Sequence, residues 1–144
     1  MATKVKTHSK MVDEILKIIN DNENVSRTLV EAFKVPYFRG YMELAVSDQW
    51  PTIDVNEINF KQYEYHRSMA GATLLNRQTF NIINSVIMNP DAKDSTKTIH
   101  FKALSEMLYV GESNVLTAIF NKDITKLYPN ITFQSINEAL SYGN

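Results

Sequence analysis

His8, His66 and His100 are the three imidazoles of this 144-residue chain, which has no cysteine. Metal ligation on a helix pairs such a histidine with a second ligand three or four residues away, and none of the three has one. Asp91 and Asp94 fall in one polar stretch, but the alternating acids, central glycine and terminal glutamate of a calcium loop are missing. A nucleophile would have to be serine or threonine, and no Gly-x-Ser-x-Gly elbow presents one. Carboxylate pairs of the glycosidase kind are set by distance, not spacing; the acids here sit where caps and solvated faces are expected. A phosphate cradle needs glycine-rich backbone followed by lysine, and Ala70-Gly71-Ala72-Thr73 lacks the lysine. These residues predict a non-enzymatic protein with no cofactor and no metal.

Residues that could bind a macromolecule are better represented. Phe60-Lys61-Gln62-Tyr63-Glu64-Tyr65-His66-Arg67 interleaves aromatic and basic groups, and on a helix Phe60, Tyr63 and Arg67 share a face. Tyr37 and Arg39 are of the same kind. Trp50 stands in the stretch 46–58, which reads as a loop, and Pro51 makes Trp50 itself extended. Aromatic and basic side chains together dominate protein interfaces, and they also stack bases and hold phosphates. Arg39, Trp50, Tyr63 and Arg67 are the candidate protein-contact residues. Lys4, Lys6 and Lys10 form a basic arm that, with Lys61, is the candidate nucleic-acid contact; a solvated basic tail over residues 1–7 is the other reading.

Residues 98–120 read as helix, turn and helix. The DNA-binding form needs a second helix rich in groups that reach bases and phosphates. This one offers Asn114, Asn121 and Lys122, and Ala103 to Asn144 holds four acids against two lysines. That balance opposes phosphate attraction, so the motif reads as a packing hairpin.

The elements that must position these groups are helical. Net charge is −1 and 44% of residues are apolar, which fits one ordinary globular domain spanning 1–144. No apolar run approaches the roughly 18 residues of a membrane span. Met11, Val12, Ile15, Leu16 and Ile19 recur at helical spacing. A second helix is expected over 25–34, with Leu29, Val30 and Phe33 inward. Pro36 should open a third, bearing Tyr37, Tyr41, Leu44 and Ala45. A helical region over 60–88 points Leu75, Thr79, Ile82, Ile83, Val86 and Ile87 one way, and Asn89-Pro90 ends it. Thr98 is expected to cap a helix with Phe101, Leu104, Met107 and Leu108 inward, stopped by Gly111. Ser113 should cap the next, bearing Val115, Leu116, Ile119 and Phe120. Asp123 should cap a single turn that buries Leu127 and Tyr128. Thr132 should cap a last helix with Phe133, Ile136 and Leu140. The expected architecture is an all-α bundle of six to eight short helices.

Residues 99–132 carry Phe101-x-x-Leu104, then Glu112 opening Val115-Leu116-x-x-Ile119, then Lys122-Asp123-Ile124-Thr125-Lys126-Leu127-Tyr128-Pro129. This stretch resembles a family of small uncharacterised helical proteins of large contractile-tailed bacteriophages, and Leu-Tyr-Pro is its most specific piece. The resemblance implies a phage origin and a helical fold, and brings no catalytic residue with it. It frames three expectations: a phage accessory protein contacting phage or host proteins in the host cytoplasm, a nucleic-acid-binding accessory protein of replication or transcription, or a minor virion or assembly component.

Overall fold

The computed structural model describes residues 11–47 and 73–142. Of the candidate residues, Lys4, Lys6, Lys10, Trp50, Lys61, Tyr63 and Arg67 lie outside that range, as do the tail 1–7 and the patch 60–67; Arg39 lies within it. Among the described residues the chain is all-α, with eight helices and no strand: α1 Val12–Asn20, α2 Val25–Ala32, α3 Phe38–Val46, α4 Arg77–Ile82 continuing into a π turn Ile83–Ile87, α5 Asp94–Met107, α6 Val110–Asn121, α7 Ile124–Leu127 and α8 Phe133–Tyr142.

The middle of the bundle is α6. Val115, Leu116, Ala118, Ile119 and Phe120 are all buried, together with Glu112 and Ser113 at its start. A helix apolar on most of its circumference has to be surrounded, and α1, α3, α5 and α7 pack around it. Among the α6 residues Asn114 is exposed, which leaves no face to enter a DNA groove and fits the packing hairpin. Phe101 of α5 meets Phe120 of α6 edge-on, with centroids 5.4 Å apart. The α1 stripe is as expected: Val12, Ile15, Leu16 and Ile19 are fully buried. α2 packs on α1 and lies beside α8, which also packs on α3.

Several boundaries differ from expectation, each for a local reason. Pro36 does not open α3: the chain turns first, and Tyr37 takes a left-handed φ of 71° as its N-cap. That conformation is costly without glycine, and ring packing of Tyr37 on Phe80 at 5.1 Å holds it. Gly40 lets that ring in, since a Cβ there would stand 2.5 Å from Phe80 Cζ. α5 begins at Asp94 rather than Thr98, whose hydroxyl donates back to Asp94 O at 2.9 Å. α5 ends at Met107 with Leu108 extended as its C-cap, so Gly111 is not its stop but the second residue of α6, and Ser113 is a buried residue inside α6 rather than its cap. At this end Leu108 is buried and Met107 faces out. Leu127 is exposed, and the Asp123 carboxylate ion-pairs with Lys126 at 3.7 Å instead of capping α7. Thr132 does cap α8: Ser135 N donates to Thr132 Oγ1 at 3.1 Å and Thr132 N to Ser135 Oγ at 2.9 Å.

Candidate functional site: a groove between the second and last helices

Two places gather polar side chains, one inside and one on the surface. The interior one centres on Glu112 in the first turn of α6, which is fully buried. Its Oε2 accepts from Val12 N and from Thr73 Oγ1, each at 3.0 Å, and its Oε1 accepts from Leu74 N at 3.1 Å. Val12 opens α1, where backbone N–H groups have no helical partner, so Glu112 caps a helix 100 residues away in sequence. Leu74 O in turn accepts the buried Tyr41 hydroxyl. Asp13 leans over the same helix start: a Cβ at Gly111 would stand 2.2 Å from Asp13 Oδ2. Tyr128 donates its hydroxyl to Asp13 O at 3.3 Å.

Burial raises the Glu112 carboxyl pKa; the hydrogen bonds from Val12, Leu74 and Thr73 oppose this, and the nearby Asp13 adds to it. Burial likewise raises the Tyr41 hydroxyl, and it pushes Tyr128 up to about 12, with Asp13 contributing to the latter. These groups are perturbed as catalytic groups often are. Both Glu112 carboxylate oxygens nonetheless accept hydrogen bonds from the protein itself, and the carboxylate has no exposed surface to offer a substrate. The cluster ties together α1, α3, α6 and the Thr73-Leu74 backbone ahead of α4. Sequence reading placed Glu112 correctly at a helix start but did not reveal that it caps a different helix.

The surface site is a groove of about 460 Å³ between α2 and α8, lined by Asn24, Ser26, Arg27, Val30, Glu31, Glu138, Ala139 and Tyr142. Helical spacing builds each wall. Arg27, Val30 and Glu31 stand at i, i+3 and i+4 on α2, and on α8 Tyr142 stands three residues after Ala139 and four after Glu138. Val30 and Ala139 form the apolar floor, and Tyr142 is 80% exposed at the rim. The Asn24 side chain caps α2 by accepting from Arg27 N at 3.1 Å. Ser26 crosses between the walls, donating to Glu138 Oε2 at 3.0 Å, while Gln134 Nε2 donates to Glu138 Oε1 at 3.2 Å.

Arg39 is the one candidate contact residue within the described range, and it stands behind this groove. Its Nη2 donates to Leu140 O at 3.1 Å, its guanidinium lies 5.4 Å from the Phe33 ring centroid, and its Nε is 3.9 Å from Glu43. Leu140 O belongs to the last turn of α8, whose carbonyls lack helical partners and favour a cation. Arg39 thereby fixes the end of the helix that carries the groove wall. The groove itself was not legible beforehand: Val30 was expected to point inward and is half-buried facing it.

Among the described residues, no three His, Cys, Asp or Glu side chains come together to hold a metal ion. No helix of theirs is long and apolar enough to cross a membrane. His100 Nδ1 lies 2.9 Å from Thr96 O, one helical turn back. Compared with known proteins, the chain matches no protein-family model, no curated protein and no solved structure.

Proposed function

We propose that this is a non-enzymatic phage accessory protein that works by gripping a phage or host protein in the host cytoplasm. The observation that carries the contact reading is the α2/α8 groove. It combines an apolar floor at Val30 and Ala139 with an exposed tyrosine and an exposed arginine at its edges. Tyrosine and arginine are the residue types that most often anchor protein contacts. Two helices side by side leave a trough that the apolar stripe of a third can fill. Glu31 and Glu138 face that trough with carboxylates, so the fitting partner is an amphipathic helix with basic residues flanking its stripe. The phage setting rests on the sequence resemblance of residues 99–132.

Capture of the tagged protein from infected cells, with and without nuclease, tests this reading. A protein partner that stays bound after nuclease treatment supports it. Recovery of nucleic acid, or loss of every partner on nuclease treatment, replaces it with the nucleic-acid reading built on Lys4, Lys6 and Lys10.

A further inference from the structure

The charges of the α2/α8 groove name one side chain of its occupant. Glu31 of α2 makes no hydrogen bond or ion pair among the described residues, and the Arg27 guanidinium one turn before it makes none either. Arginine preceding glutamate is the poorer order for pairing along a helix, which fits two charges left facing solvent. Glu138 of α8 is held from two sides, by Ser26 Oγ donating to Oε2 at 3.0 Å and Gln134 Nε2 donating to Oε1 at 3.2 Å. Both donors are neutral, so the carboxylate keeps its charge, and each oxygen keeps a second lone pair. The groove thus holds one fixed and one unpaired carboxylate beside the apolar floor of Val30 and Ala139, with the exposed Tyr142 ring at the rim.

Size limits what enters. A helix with its side chains is a cylinder roughly 10–12 Å across with a pitch of about 5.4 Å, hence roughly 400–600 Å³ per turn. The groove, at about 460 Å³, admits about one turn. One turn brings one long side chain into the groove, and the carboxylates select a basic one. Lysine would bring a strongly hydrated point charge. Arginine brings a planar fork that takes two carboxylate oxygens at once, a face that stacks on an aromatic ring, and an apolar stem.

Resting on the groove reading above, we infer that the α2/α8 groove is an arginine-binding site. The partner inserts one helical turn whose arginine lays its stem along Val30 and Ala139 and directs its guanidinium to Glu31 and Glu138, with Tyr142 covering it. Arg27 repels a second basic group at its own end of the groove and favours an acid there.

The probe is N-acetyl-arginine amide, titrated into the isotope-labelled full chain and followed by NMR at the Val30 and Ala139 methyls and the Tyr142 ring. The wild type should show saturable shifts, half-complete at about 1 to 10 mM, as suits a small ligand on one charged subsite. N-acetyl-lysine amide should bind at least about threefold more weakly. Glu31→Gln/Glu138→Gln keeps the side-chain shapes and an acceptor for Ser26, and should weaken arginine binding at least about tenfold. Arg27→Gln removes a like charge and should strengthen it about twofold. Absence of saturable shifts up to about 100 mM overturns the inference. So do equal binding of the lysine analogue, an unaffected glutamine double variant, or weaker binding by Arg27→Gln. Partner capture separates this site from the reading it rests on. Capture that depends on Arg27 and Tyr142 while the arginine probe fails to bind removes the arginine site and leaves the groove contact. Arginine binding with capture indifferent to those residues keeps the arginine site and removes the groove as the partner's contact.

Discussion

Glu112 shows how much one side chain can organise. Removing its carboxylate in Glu112→Ala strands Val12 N, Leu74 N and the Thr73 hydroxyl in the interior. Each buried donor left without an acceptor costs about 1–3 kcal/mol, so urea denaturation should show a loss of at least about 3 kcal/mol. The same residue sets a pH dependence of definite sign. Its folded pKa lies above the ordinary value of about 4.3, so the folded state binds the proton more tightly than the unfolded one. Its contribution is greatest below about pH 4.3 and is lost as pH rises through the raised value. Stability profiles of wild type and Glu112→Gln should therefore diverge in slope over that window, with the wild type falling relative to the variant as pH rises. Ser105 offers the opposite case: its hydroxyl is buried on α5 with no hydrogen-bond partner among the described residues. Ser105→Ala relieves that desolvation and should raise stability by about 1 kcal/mol in the same assay.

At the scale of elements, helix existence was legible because periodicity records which face a helix must bury. Val12, Ile15, Leu16 and Ile19 marked α1 correctly, and Thr132 marked the start of α8. Thr132→Ala removes the side-chain acceptor for Ser135 N and should cost about 1 kcal/mol, measured by thermal unfolding. Helix ends were less legible where long-range contacts outweigh local signals. Gly111 looks like a stop, yet it lies inside α6, where the Asp13 carboxylate packs into the space a Cβ would take. Tyr37 reads as a helical residue, yet Phe80 from α4 holds it in the left-handed region as a cap. Met107 and Leu108 are both apolar, and it is Leu108, in phase with Phe101 and Leu104, that is buried. The groove was invisible for a related reason: it exists only where α2 and α8, more than 100 residues apart, lie side by side.

At the scale of the whole molecule, the central helix carries few charges and the Glu112 carboxyl and Tyr41 hydroxyl are buried. The α2/α8 groove is the surface whose role is most directly testable, because its edge residues can be changed without touching the core. Arg27 and Tyr142 are both exposed. Arg27 sits in the first turn of α2, where an acid is favoured over a base by the helix dipole, so Arg27→Glu should not destabilise the fold. The decisive measurement is quantitative capture from infected cells by the wild type and by Arg27→Glu/Tyr142→Ala, side by side and with nuclease present. The groove reading predicts a nuclease-resistant protein partner recovered by the wild type and reduced at least about tenfold in the variant, a loss of about 1.4 kcal/mol. Equal recovery by both proteins contradicts it and would place the contact elsewhere on the molecule.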